Sequence, residues 1–176
     1  MRRNAVAAFI AIMSLTSCSL SPQLPVRIGN SLEDDEKAAM ATLTRVTDAL
    51  VAGDKTSLKT LFSKQALSQA SDFDSEADAL LGFFSGTIHS QELFGEPSSG
   101  ESIDGPSRTY EMDAFYHVNT DKNRYSFMII NVTADTTHPE NVGISSLRVI
   151  RTKDEDRLFV SIDDMRIPGI WCRPDA

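Results

Sequence analysis

The feature that most constrains the fold is a change of hydrophobic period at Gly86. Before it, apolar residues recur at helical spacing; after it, they alternate as in strands. Ala39, Leu43, Val46 and Leu50 step by 4, 3 and 4 residues, which places one buried stripe on a helix. Ser31-Leu32-Glu33-Asp34 reads as a capping box at its start, with acids that suit the positive end of a helix dipole. Gly53 suits its end. Asp54 can cap a second helix whose apolar face is Leu58, Leu61 and Phe62. Ser75-Glu76-Ala77-Asp78 reads as another capping box, opening a third helix that Gly86 closes.

Strands follow. Residues 87–94 read as a first strand, and 95–105 as a loop dense in turn formers. Over residues 108–120, Tyr110, Met112, Ala114, Tyr116 and Val118 alternate with more polar positions, as in a half-buried strand. Residues 125–134 carry apolar side chains on both faces and read as a central strand. Residues 143–152 and 158–163 read as two more. The expected class is α+β: N-terminal helices packed on a curved antiparallel sheet of four to five strands. Such a layering leaves a cone-shaped space, a usual place for a ligand. Phe83, Phe84, Tyr110, Tyr116, Tyr125 and Phe127 are the expected aromatic core.

The N-terminus reads as an address. Arg2 and Arg3 precede an apolar run of 11 residues, Ala5 to Leu15, too short to span a bilayer of about 30 Å. Leu15-Thr16-Ser17-Cys18 matches a bacterial lipobox, which implies a diacylglycerol on the Cys18 sulfur and cleavage before it. The expected divisions are a signal peptide at 1–17, a Pro-containing tether at 18–30, the α+β domain at 31–165 and a tail at 166–176. The partner implied is a membrane, reached through the lipid anchor, and the expected location is extracytoplasmic. Cys172 is then a lone thiol packed beside Trp171; with an unlipidated Cys18, a Cys18–Cys172 disulfide is the alternative.

Charge narrows the partners. The chain of 176 residues carries 17 basic and 25 acidic residues, a net charge of -8. Loss of residues 1–17 removes Arg2 and Arg3 and leaves 15 basic residues against the same 25 acidic ones, or -10. A nucleic-acid partner is disfavoured, since phosphate binding needs a basic surface. Anionic lipid heads repel such a body, so the acyl chains must hold it.

Taken together, Asp54, Leu58, Leu61-Phe62-Ser63, Phe83-Phe84-Ser85-Gly86-Thr87-Ile88-His89-Ser90, Tyr116, Thr120-Asp121 and Tyr125 resemble a family of bacterial lipoproteins. It is the domain of unknown function 5104, found largely in Gram-positive bacteria and similar to the nuclear transport factor 2-like (cystatin-like) fold. The resemblance spans residues 33–163 and rests on fold-type signals. It implies a surface lipoprotein and assigns no activity. The wider superfamily often dimerises through its sheet, which leaves a homodimer open.

For chemistry, the residues to place are His89, Asp113 and His117. Enzymes of the wider superfamily put Asp, Glu or His in the cone for proton transfer. His117 falls on the polar face of its strand and is expected outside the cone in solvent. Asp113 and His117 are four residues apart on one strand face, about 13 Å, too far for a dyad. His89 shares a face with Thr87, Gln91 and Leu93, of undecided direction. His138 is expected in a solvated loop. Asp72, Asp74, Glu76 and Asp78 alternate as in a calcium loop, but Ala77 stands where that loop needs Gly; they read as helix caps. No zinc spacing, phosphate loop or nucleophile elbow occurs, and no cofactor is implied. The expected function is therefore a non-enzymatic module that binds a small apolar ligand in the cone or an envelope protein through the sheet. The alternative is a small pocket enzyme performing proton transfer or hydrolysis with a cone-lining His or Asp.

Overall fold

A computed structural model describes residues 32–157 and 162–172. The expected signal peptide, Cys18 and the tether lie outside the described residues, as do residues 158–161 of the last expected strand.

Helix α1 (Leu32–Ala52) turns Ala39, Leu43, Val46 and Leu50 inward, as their spacing predicts, and ends at Gly53. Asp54 caps α2 (Lys55–Thr60), its side chain accepting from Ser57 N at 2.9 Å. A further helix, outside the three expected, follows it: the Ser63 hydroxyl starts α3 (Lys64–Gln69) by accepting from Ala66 N at 3.0 Å. Helix α4 (Phe73–Phe83) begins two residues before the expected cap, Ser75. Asp72 takes that role, accepting from Ser75 N at 3.1 Å. That serves the cap reading of the acidic run. Asp74 and Asp78 instead pair with Lys59 and Lys55 at 2.9 and 2.8 Å.

The strands are β1 (Ile88–Leu93), β2 (Ser98–Asp104), β3 (Ser107–Thr120), β4 (Arg124–Asp135), β5 (Gly143–Arg151) and β6 (Gly169–Cys172). They form one sheet in the order β1-β3-β4-β5-β6, with β2 paired to the other half of β3. The class is α+β as expected, with three differences. Strand β2 occupies the expected loop; all seven of its residues are exposed, so backbone pairing with β3 makes it and no burial pattern marks it. Strand β6 lies in the segment that reads as a tail, and it pairs parallel to β5. Ile162–Met165, which overlap the end of the last expected strand at Ile162 and Asp163, form a helical turn, α5.

The core lies between the helices and one sheet face. Met112, Ala114, Tyr116 and Val118 of β3 meet Phe127 and Ile129 of β4, Leu147 and Val149 of β5, and the apolar stripes of α1 and α4. Tyr110 is the exception among the expected core aromatics. Opposite it β4 carries an extra residue, Thr133, which shifts the register, and the Tyr110 ring is only half-buried. The second face is closed as well: Met128, Ile130 and Ile150 are at most 2% exposed. The segment Thr152–Arg157, a 3-10 turn, reaches this face through the Ser126–Thr152 hydroxyl bond at 3.0 Å.

Candidate functional site

The three expected site residues do not meet. His89 sits at the bulge of β1, where the pairing register skips from Ile88 to Ser90, and it is exposed. The bulge explains why its face was not readable: Gln91 points to the helices and gives its amide to Thr47 Oγ1 at 2.9 Å, whereas His89 does not share that direction. His138 is exposed and contacts Glu140 at 3.2 Å.

His117 lies outside the helix-covered layer, as expected, but it is not solvated; it is 8% exposed. Phe94 covers it, with ring centroids 4.6 Å apart. Arg124 Nη2 stands 2.8 Å from Nδ1, and Glu155 Oε1 stands 2.9 Å from Nε2. A guanidinium only donates, so Nδ1 accepts and the proton sits on Nε2, facing Glu155. Both ring nitrogens are occupied by protein. The arrangement ties β3, β4 and the 3-10 turn together and leaves no free nitrogen to take a substrate proton.

Asp113 belongs to a different cluster on the same face. Arg166 reaches Glu111 at 2.5 Å and Asp113 at 3.3 Å. Burial first, then the Glu111 charge, pushes the Asp113 carboxyl above its ordinary range, and Arg166 opposes them. Asp113 Oδ1 is sealed without a hydrogen-bond partner.

Between helices and sheet, two buried tyrosines place their hydroxyls on backbone groups. Tyr116 donates to the Ala39 carbonyl at 3.0 Å. Tyr125 donates to the Phe83 carbonyl at 3.1 Å and accepts from Ser85 N at 3.0 Å. Their partners are groups at or near helix turns, so the phenols dock helices on the sheet.

A cleft opens where α1 leaves the β4–β5 end of the sheet. Its volume is about 210 Å³. Leu61, Val132, Val142 and Ile144 supply an apolar lining. Thr42, Arg45, Asn131 and Thr133 supply a polar one. Its shape comes from two backbone irregularities. A bulge between Ile130 and Asn131 shifts the register of β4 against β5. Gly143, at φ 129, lets β5 approach the α2–α3 junction, where Ser63 N donates to the Ile144 carbonyl at 3.0 Å and Ile144 N to the Leu61 carbonyl at 2.9 Å. Arg45 makes no ion pair among the described residues and offers its donors to the cleft. The lining holds no His, Cys, Asp or Glu, hence no group suited to proton transfer near neutral pH. The chemistry fits holding a molecule with an apolar body and an acceptor-rich head.

None of these cleft residues was singled out for binding in the sequence. Asn131-Val132-Thr133 stands out only as a glycosylation triplet inside a strand. No local pattern announces a site built from α1, the α2–α3 junction and two strands.

Residues 45–152 match the model of a domain of unknown function, DUF5104. The chain belongs to this family. The matched DUF5104 span begins at Arg45 and includes every named cleft residue except Thr42. It includes His117 and Asp113 but stops before Glu155 and Arg166, which hold them. No curated protein matches the chain. Among the described residues, no helix is long and apolar enough to cross a membrane, and no three His, Cys, Asp or Glu side chains gather as a metal site would require.

Proposed function

We propose that this DUF5104 chain is a bacterial lipoprotein, held on the outer face of the cytoplasmic membrane by acyl chains on Cys18. Its domain binds a small ligand in the cleft between α1 and the β4–β5 end of the sheet, without catalysing a reaction on it. The anchor rests on Arg2, Arg3, the short apolar run and the lipobox ending at Cys18. The fold is read as nuclear transport factor 2-like, a reading supported by its order of helices first and sheet second.

The observation that carries the binding reading is the cleft's lining: an apolar wall of Leu61, Val132, Val142 and Ile144 facing Thr42, Asn131, Thr133 and Arg45, which makes no ion pair among the described residues, with no acid or base. An envelope partner on the sheet is less well supported, because Met128, Ile130 and Ile150 of the outer face are buried. The enzyme alternative finds no support in His89, Asp113 and His117, which lie apart and outside the helix-covered layer.

Native mass spectrometry of the gently purified full chain tests the binding part. The expected result is a retained small molecule in wild type that is absent from Thr42→Trp, whose indole fills the cleft. A bare mass for wild type refutes it. Cys18→Ala is expected to leave the membrane fraction; retention equal to wild type refutes the anchor.

A further inference from the structure

A second cleft, of about 260 Å³, lies at the sheet edge beside β6. It shares no lining residue with the first and does not depend on that reading. Arg148 lines it, a cation set in the apolar run of β5 between Leu147 and Val149. Arg148 is 6% exposed, and its guanidinium lies over the Trp171 ring, 4.5 Å from the centroid.

Its hydrogen bonds fall far short of its donors. Nη1 donates to the Asp164 carbonyl. Nε is sealed from solvent and bonds to nothing. No carboxylate stands within ion-pair distance among the described residues, although the Asp164 charge acts on it through space. Among the described residues, one backbone acceptor thus serves five N–H donors. Burying a cation so incompletely compensated is costly, and an incoming anion would offset that cost. Burial also pushes the guanidinium below its ordinary range.

The rest of the lining selects the anion. A guanidinium fork matches a carboxylate through two parallel bonds. Glu76 faces the same cleft as a fixed negative charge, accepting from Ile170 N at 3.0 Å and Ser71 Oγ at 3.1 Å. A dianion is repelled by it more than a monoanion. Ile167, Ile170 and Trp171 supply an apolar wall. We propose that this cleft binds a small monocarboxylate, its carboxylate on Arg148 and its apolar body against Trp171 and Ile167.

Trp171 is the single tryptophan of the chain, so its fluorescence reports on this cleft alone. The full chain is titrated with hexanoate, acetate, inorganic phosphate and chloride at constant ionic strength. The expected result is a saturable change with hexanoate and a half-saturation about fivefold or more higher for acetate, which lacks the apolar body. Phosphate and chloride should not saturate. Arg148→Gln is expected to weaken hexanoate at least about tenfold. Should circular dichroism show that variant unfolded, Gln69→Glu decides: it adds a carboxylate at the exposed rim and should weaken hexanoate at least about threefold. A response to hexanoate no different from chloride overturns the site. Unchanged curves in a folded Arg148→Gln, or in Gln69→Glu when it decides, do the same. Phosphate binding tighter than hexanoate overturns the ligand class.

Discussion

Two buried tyrosines dock the helix layer on the sheet, and the structure makes their hydroxyls unequal. Tyr125 is fully buried and its hydroxyl meets four groups: it donates to the Phe83 carbonyl at 3.1 Å, accepts from Ser85 N at 3.0 Å and Asn123 Nδ2 at 3.1 Å, which fills its three bonding positions, and has the Ser85 hydroxyl at 3.3 Å beside them. Tyr116 is 1% exposed and makes one bond, to the Ala39 carbonyl at 3.0 Å. Removing the oxygen alone leaves each ring packed, so the difference isolates the hydrogen bonds. At about 1 kcal/mol for each bond, Tyr116→Phe should cost about 1 kcal/mol and Tyr125→Phe about 3 kcal/mol. Ser85 and Asn123 are only half-buried and can recover water, which reduces the second figure to about 2 kcal/mol. Urea unfolding measures both. With a slope near 2 kcal/mol per molar, the midpoint should fall by about 0.5 M for Tyr116→Phe and about 1 M for Tyr125→Phe, at unchanged slope. A Tyr125→Phe midpoint no lower than that of Tyr116→Phe would refute the reading of Tyr125 as the stronger latch.

Further outcomes follow from the same geometry. Burial pushes the Tyr116 phenol above its ordinary value. The folded state therefore keeps this proton after the unfolded chain releases it: stability is intact below about pH 10 and falls above it by up to about 1.4 kcal/mol per pH unit. Tyr116→Phe should flatten that alkaline limb in melts from pH 9 to 11, and an unchanged limb would count against it. Asp113 has its carboxyl raised by burial and by Glu111, so its ionised form costs stability above its folded pKa and the cost vanishes as pH falls through it. Asp113→Asn should hold or raise the melting temperature at pH 7 and lose that advantage at pH 3; a clear drop at pH 7 would contradict the assignment. Gly143→Ala places a Cβ 2.7 Å from Ser63 N at φ 129, so at least about 2 kcal/mol should be lost on thermal or urea unfolding.

Much of the helix layer is legible because its signals are local. The 4, 3, 4 spacing of Ala39, Leu43, Val46 and Leu50, with Gly53 and Asp54 after it, gives α1 its buried face and its end. The inner face of β3 from Met112 to Val118 is legible from alternation alone. Legibility fails where the chain departs from a period. Strand β2 buries nothing and so carries no apolar pattern. A bulge turns His89 away from the face its spacing implies, and Tyr110 is only half-buried where β4 carries the extra residue Thr133 opposite it. His117 reads as solvated because its covers, Phe94 and Glu155, come from elsewhere in the chain. The first cleft has no sequence signal, since its lining is assembled across long separations. Arg148 is different: a cation between Leu147 and Val149 in a buried strand is an anomaly visible in the sequence.

The two clefts share an origin in how the helices are docked. Side chains fill the space between helices and sheet over most of the contact, and both sheet faces are closed. At two places the layers are joined by backbone polar groups instead. Ser63 N and Ile144 N tie the α2–α3 junction to β5, and the Glu76 carboxylate ties α4 to Ile170 N of β6. Each junction has a glycine of positive φ at the closest approach: Gly143 at φ 129, and Gly169 at φ 107, where a Cβ would stand 2.8 Å from Glu76 Oε2. Hydrogen bonding of this kind draws the layers together only at a point, and the glycine contributes no side chain to fill the space beside it. A cleft next to each junction is the geometric result, lined on one side by a helix and on the other by strand. A ligand in either cleft would bridge the layers, so binding should stiffen the docking of helices on the sheet. The sites of this domain are thus set by where its layers are tied, and the packed interior serves to hold those ties in place.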